Sequence, residues 1–558
     1  VNAKALIYEN THSKQGERTS LTINLVGDVK NKRAIGAKVI ACAKGEIRTY
    51  EKFPVKGFLS SMDGPLLVGL TKANIDSMLL IWPDNSFQKI TIPSKDASLT
   101  VTYQKGLPLF DYSSLQKMYV NKSFPIADIT PATGINYVHL ENMFVDFNTE
   151  RLIPHMVSTE GPALAVADVN HDRLDDVFIG SAKDSKSVLY IQQPSGKFIK
   201  TNQPALDKYS AYESVSATWS DINNDGHPDL IVVNGVDQYY DEADYGTPRI
   251  YLNDGKGQLT KAVEPFSNLN VSASTVEAAD FNKDGFPDLF VGARSVSGNY
   301  GKIPQSYLLQ NNGKGKFTDV TKAVASELSE IGFVTHSSWF DMDKDGDQDL
   351  TVVGDWMPIK TFENNKGKFK LIENGLEDKT GFWSGITAAD FDKDGDTDFI
   401  VGNLGTNTKL RKDLDGQLRM QIKDIDKNDT KEHIVSYNRG DDWFPINSKD
   451  EMGKQIPSII NKKYTAYHMF AGKTVEEIFG DKELEGAEEK RVNTFESVYL
   501  ENQGNKTFKL VALPPLAQVS KIMVMRTEDV DKDGNLDVIV GGNFNGASMY
   551  QARYDAFF

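Results

Sequence analysis

The chain has 558 residues and a net charge of −16, from 62 Lys+Arg against 78 Asp+Glu, with a single cysteine. That length allows roughly two to four domains, an acidic balance without a Lys/Arg-rich stripe argues against a nucleic-acid duplex or an anionic membrane as the main partner, and one cysteine excludes a disulfide framework or a Cys-based metal centre. No apolar run approaches the roughly 18–20 residues that cross a bilayer, so a membrane-spanning chain is excluded as well.

The chain begins Val1-Asn2-Ala3-Lys4, with neither an initiator Met nor a basic and then apolar leader, so no export signal is visible and a mature chain or a fragment is expected. Residues 1–105 contain the runs SLTINLVG, AIGAKVIACAKG, EIRTYEKF, SMLLIWP, FQKITIP and SLTVTY, separated by Gly, Pro, Asn and Asp. This is the pattern of a small antiparallel β-sandwich. Cys42, in one of these alternating runs, is expected as a small packing residue. Residues 106–123 read as a linker, which leaves 124–558 for one repetitive domain.

That domain is organised by a recurring unit, Asp-x-Asp/Asn-x-Asp-Gly-x-x-Asp followed by an apolar strand. Five intact copies start at Asp221, Asp280, Asp341, Asp390 and Asp529, and two degenerate ones start at Asp168, where Arg173 replaces the glycine, and at Asp424, where Asp429 does. Each copy lies between β-rich runs and is followed about 20 residues later by a second hairpin signature, as in RIYLNDGKGQLT and SYLLQNNGKGKFTDV. Two hairpins per unit make a four-stranded antiparallel sheet, and repetition of such sheets predicts an all-β fold, a β-propeller of about seven blades. The long interval between the copies at 424 and 529 holds an insertion, and residues 441–493 are expected to be partly helical. Its Trp443, Phe444, Met452, Tyr464, Tyr467, Met469 and Phe470 are open to two readings, packing on the rim or a binding lid.

A hard dication such as Ca²⁺ takes six to eight oxygens at about 2.3–2.6 Å. Positions 1, 3, 5 and 9 of each loop supply side-chain oxygens, position 7 a carbonyl, and glycine at position 6 allows a positive φ. The expected metal ligands are Asp168, Asn170, Asp172 and Asp176; Asp221, Asn223, Asp225 and Asp229; Asp280, Asn282, Asp284 and Asp288; Asp341, Asp343, Asp345 and Asp349; Asp390, Asp392, Asp394 and Asp398; Asp424, Asp426, Asn428 and Glu432; and Asp529, Asp531, Asp533 and Asp537. Several structural Ca²⁺ ions are thus the expected cofactor, and seven dications would bring the chain close to neutrality. In the first loop the alternative is that the Arg173 guanidinium takes the place of the ion. Weak sites of this type fill where free calcium is high, so the protein is expected outside the cytoplasm.

The Asp-rich repeats resemble the FG-GAP or VCBS repeats of integrin α-chain propellers and bacterial surface proteins. Residues 1–105, with NKRAIGAKVIACAKGEIRTYEKFPVKGFLSS, PLLVGL and IDSMLLIWPDNSFQKI, resemble the ASPIC/UnbV domain that accompanies such repeats in bacteria and in cartilage acidic protein. GPALAVADVNHDRLDDVFIG, DWMPIKTFENNKGKF and GNLGTNTKL are similar to VCBS-repeat outer-membrane lipoproteins of Bacteroidota. In that type a further propeller precedes the ASPIC/UnbV domain, and this chain starts after it and stops at YDAFF, as a fragment would. The resemblance implies a cell-surface binding or adhesion protein, lipid-anchored through a missing N-terminus or secreted. It would capture glycan, peptide or a protein partner within an outer-membrane uptake complex.

None of the eight histidines forms an HExxH pair, and GxSxG, Walker A and dinucleotide fingerprints are absent, so an enzyme is the lesser expectation. The alternative is a carbohydrate-active enzyme, a polysaccharide lyase or glycosidase whose acid/base pair hides among the many carboxylates. Ligands are expected on the face where chain segments enter the repeated hairpins, with Glu213, His336 and Trp383 as candidate contacts. The opposing reading of Trp383, with Trp219 and Trp339, is packing between blades.

Overall fold

The computed structural model describes residues 19–43, 46–57, 59–70, 77–91, 98–113, 127–239, 245–410, 416–548, 551 and 553–556. The chain divides into two compact units, Val1–Pro125 and Ile126–Phe558, and is all-β apart from short helices. The expected linker lies in part, at 114–123, outside the described residues.

Among the described residues the first unit holds two larger sheets and a two-stranded one of Val55–Gly57 and Ser60–Ser61. In one of the larger two, Thr19–Val26 pairs antiparallel with Leu66–Leu70 and parallel with Ser98–Thr102; the other has the antiparallel order Glu46–Glu51, Lys38–Ala43, Ser77–Ile81, Phe87–Lys89. Alternating runs show which residues are buried but not the direction of pairing, so the parallel partner was not readable from them. Leu21, Ile23, Val39, Val68, Leu80 and Trp82 form the core. Phe110 packs on Ile40 and Ile81, and Cys42 lies half-buried beside them.

Among the described residues of the second unit there are seven sheets, six of which form the main series in chain order. The first four are built from consecutive strands over 164–200, 213–261, 272–319 and 333–372, and Thr380–Phe382 adds a fifth strand to the fourth. The fifth sheet joins Ile386–Ala389 and Asp398–Val401 to Val498–Asn502 and Phe508–Ala512, and the sixth pairs Val524–Glu528 with Asp537–Gly541. Hydrogen bonds tie neighbours together at the end where the first strands begin. The Ala163 amide donates to the Ser214 carbonyl at 3.0 Å, the Ser274 hydroxyl to the Val334 carbonyl at 2.6 Å, and the Thr335 hydroxyl to the Trp383 carbonyl at 2.6 Å. Ser274 and Thr335 sit at irregularities in strand register, where a bulge re-aims a side chain out of the ladder. At Gly292 a Cβ would fall 2.5 Å from a Val334 methyl, so only glycine admits the next sheet this closely.

The expectation of about seven blades counted one per loop. The loop from Asp424 instead joins Leu418–Lys423 to Glu432–Arg439 within a separate sheet, in the order Asp442–Pro445, Glu432–Arg439, Leu418–Lys423, Glu488–Val492, inserted into the middle of the fifth. Helices lie within 449–484, two of them opened by capping boxes, Ser448 with Glu451 and Thr474 with Glu477. Their apolar faces bury Met452, Ile456, Tyr464, Phe470 and Ile478 against Leu152, Ile425 and Ile434. Of the aromatic and methionine residues noted there, Tyr467 is 66% and Met469 40% exposed.

Candidate functional site: seven acidic loops

Every Asp-rich loop joins a first strand to a second, and its ninth residue opens the second strand: Asp176, Asp229, Asp288, Asp349, Asp398, Glu432 and Asp537. The seven loops share one backbone conformation. Position 4 has positive φ in each, at His171, Asn224, Lys283, Lys344, Lys393, Lys427 and Lys532, and so has position 6, including the non-glycine Arg173 at 68° and Asp429 at 66°. The position-6 amide donates to the second oxygen of the position-1 carboxylate in all seven, from 2.8 Å in the first three loops to 3.1 Å at Asp390. The degenerate copies therefore keep the loop at the cost of a strained residue. Arg173 itself is exposed.

Carboxylate oxygens of positions 1, 3 and 9 converge within 4.8 Å of one another in four loops: Asp341, Asp343 and Asp349; Asp390, Asp392 and Asp398; Asp424, Asp426 and Glu432; Asp529, Asp531 and Asp537. The remaining three carry asparagine at position 3, namely Asn170, Asn223 and Asn282. Buried oxygens of Asp341, Asp390 and Asp426 have no hydrogen-bond partner. Burial, reinforced by the neighbouring loop carboxylates, pushes Asp229 and Asp288 up to about 7 and Asp349 and Glu432 up to about 6. Crowded, partly desolvated carboxylates with unused lone pairs and only oxygen donors are the surroundings a hard dication fits.

Two features tie neighbouring loops of the main series of sheets together, and sequence reading missed both. The first is an asparagine on the third strand of successive sheets. Its amide N–H donates to the position-9 carboxylate below it, at 2.8 Å from Asn253, Asn311 and Asn502 and 2.7 Å from Asn364. The side chains of Asn253, Asn311 and Asn364 also reach the position-2 carbonyl of the preceding loop, Val169, Ile222 and Phe281, each at 2.8 Å. Its recurrence in YLNDGKG, LLQNNGKG, FENNKG and YLENQG was the available signal. The second feature is contact between position 4 of one loop and position 7 of the next. His171 and His227 ring nitrogens are 2.6 Å apart, Lys283 pairs with Asp347 at 2.6 Å, and Lys393 donates to Asn535 at 2.8 Å.

The sequence-predicted ligand face is different in kind. Trp383 is fully buried in the cluster between the fourth and fifth sheets, and its indole N–H donates to the Met357 carbonyl at 3.0 Å. It is inter-sheet packing, which corrects its reading as a stacking platform. Glu213 is buried and accepts from the Gln238 amide, and burial pushes its carboxyl well above the usual range. His336 is half-buried, and burial lowers its imidazole. Trp383→Ala is expected to open a cavity costing about 3–5 kcal/mol in urea unfolding. An unchanged midpoint would return it to the surface.

The family model described as "ASPIC and UnbV" matches residues 27–108, and that described as "FG-GAP-like repeat" matches residues 168–232, 237–291 and 341–401. The chain thus carries both elements that its sequence resembles. Phosphatidylinositol-glycan-specific phospholipase D of Mus musculus is 30% identical over 207 residues, 31% of this chain and 24% of that protein. Integrin alpha-6 of Gallus gallus is 29% identical over 191 residues, 30% of this chain and 17% of that protein. The chain therefore spans about a quarter or less of these relatives' length. Among solved structures, the V. cholerae biofilm matrix protein Bap1 aligns with a TM-score of 0.27 and 12% identity, covering 51% of this chain and 39% of that one.

Proposed function

We propose that the second unit is a β-propeller whose successive sheets are its blades, that its loops hold structural Ca²⁺, and that the chain is an extracytoplasmic binding or adhesion module. The observation that carries this reading is the convergence of three carboxylates within 4.8 Å at the same positions of four loops. An ion held by oxygens from positions 1, 3, 5, 7 and 9 of one loop would have little room left for a substrate, which makes it structural rather than catalytic. Binding of order 10⁻⁴ M requires the millimolar calcium found outside the cytoplasm. Integrin-like repeats support an adhesive role, and a cell-surface position serving capture of glycan, peptide or a protein partner for uptake follows from the same resemblance.

The test is to probe glycan and peptide arrays with the intact chain in millimolar Ca²⁺ and in EDTA, and to analyse each captured ligand for cleavage. Calcium-dependent capture without product is the expected result. Ligand turnover would overturn it in favour of a carbohydrate-active enzyme, and capture indifferent to calcium would separate binding from the loops.

A further inference from the structure

The insertion packs its helices on a core of their own, yet it also leaves a cleft where it meets the segment 145–156 that runs ahead of the first sheet. This cleft, of about 340 Å³, is walled by Glu150 and Arg151 of that segment, Lys431 after the Asp424 loop, Gln455 at the end of the helix Lys449–Gln455, and Asn299 from the turn after the second strand of the third sheet. A second, more open cleft of about 960 Å³ adjoins it. Arg151 lines both, and of the consecutive residues Lys454 and Gln455 each lines one. Contacts outside the clefts fix the walls. Arg151 Nη1 donates to the Lys454 carbonyl at 3.0 Å, the Tyr300 amide donates to Glu150 Oε1 at 2.8 Å, and His433 Nε2 lies 2.5 Å from the Tyr300 carbonyl. Leu152 is buried among the apolar faces of the inserted helices. Clefts of this volume with walls already in place are the kind that bind small ligands.

The chemistry of the walls narrows the ligand. Asn299 lines the first cleft, half-exposed, and Asn148 the second, exposed. Among the described residues neither side-chain carboxamide has a hydrogen-bond partner in the protein. A carboxamide offers a donor and an acceptor side by side, which complements hydroxyl groups, themselves both donor and acceptor. Phe147, half-buried, adds an aromatic ring to the second cleft. Arg151, Lys431 and Lys454 are set against five carboxylates on the two walls, so a polyanion meets more repulsion than attraction. The strand residues on the wall, Glu432 and His433, are buried, so the clefts offer no strand edge to an extended peptide.

We propose that the two adjoining clefts bind an uncharged oligosaccharide, with hydroxyls on the Asn148 and Asn299 carboxamides and one sugar face against Phe147. The proposal rests on the binding-module reading and narrows it, taking glycan rather than peptide or protein and placing the contact between the insertion and the segment 145–156.

The test offers the intact chain, in Ca²⁺ buffer, an array of neutral oligosaccharides of glucose, galactose, mannose and xylose beside uronate-containing ones, and measures the tightest neutral binder by calorimetry. Neutral glycans are expected to be preferred. Asn148→Ala and Asn299→Ala are each expected to weaken binding roughly fivefold, as loss of a hydrogen bond does, with the melting temperature unchanged. A preference for uronate glycans, capture confined to peptides on a parallel peptide array, or neutral-glycan binding that both variants leave intact would each overturn the proposal while the binding-module reading stands. Capture of no ligand on either array would overturn both. Should one variant not fold, the other variant and the wild-type preference decide the case.

Discussion

Removing calcium is expected to lower the melting temperature of the second unit by about 10–20 °C. An ion that binds the folded loop and not the unfolded chain stabilises by mass action, and a site with a Kd of roughly 10⁻⁴ M in 1 mM Ca²⁺ contributes about 1.4 kcal/mol. Seven loops of one backbone conformation would together contribute about 10 kcal/mol, and a unit of this size shifts by roughly 1–2 °C per kcal/mol. The repulsion among Asp341, Asp343 and Asp349 and among their counterparts adds to the loss once the ion is gone. Calorimetry in millimolar Ca²⁺, in EDTA and in Mg²⁺ measures this directly. Superimposable curves, with ion removal verified by elemental analysis, would end the calcium reading.

Asp355→Ala is expected to destabilise the chain by about 3–5 kcal/mol, because it leaves Arg294 buried without one of its partners. Asp355 is fully buried, accepts from both Arg294 and His155, and has a second oxygen with no partner. Burial alone would push its carboxyl up, yet Arg294, His155 and Lys521 outweigh burial and hold it far below the usual carboxylate range. A folded-state pKa below the unfolded one contributes stability that is present above the unfolded pKa and lost as pH falls beneath it. Urea midpoints of the wild type should therefore fall on acidification below about pH 5, and those of Asp355→Ala should fall less steeply. The double variant Asp355→Leu with Arg294→Met should recover most of the loss, since a well-packed apolar pair replaces a buried ion pair at little cost. No recovery would mean that the pair is held by more than its own charge.

The loops could be read from the sequence because ligand spacing is local: positions 1, 3, 5 and 9 of a nine-residue turn are visible without knowing what surrounds them. Backbone conformation was less legible. Arg173 and Asp429 in place of glycine pointed to altered loops, yet both residues take the left-handed conformation, because the position-6 amide is anchored to the position-1 carboxylate. The place of the Asp424 loop was hidden for a similar reason. A hairpin tip looks the same whether its strands belong to the main series of sheets or to an inserted one. Trp383 lay in the segment entering a hairpin, where exposure seemed natural, but its neighbours Phe340, Ile359 and Val401 come from distant parts of the chain. The cluster of His155, Arg294, Asp355 and Lys521 left no trace, since residues more than 350 positions apart in sequence meet there without motif or spacing.

The position of the inserted sheet bears on the order of assembly. Each of the first four sheets is closed by strands that follow one another within roughly 50 residues, so each forms from local contacts. In the fifth, Asp398–Val401 must find Val498–Asn502, with Phe399 opposite Leu500. At a synthesis rate of roughly 5–20 residues per second, the partner strand emerges about 5–20 seconds later. Throughout that interval Asp398–Val401 has its first-strand partner but an open edge on the other side. The inserted segment can pair Leu418–Lys423 with Glu432–Arg439 and form its helices during the wait, which shortens the effective span to be closed. The nascent chain therefore acquires its first four sheets in sequence, and the fifth and sixth become available only once Val498–Asn502 and then Asp537–Gly541 have emerged.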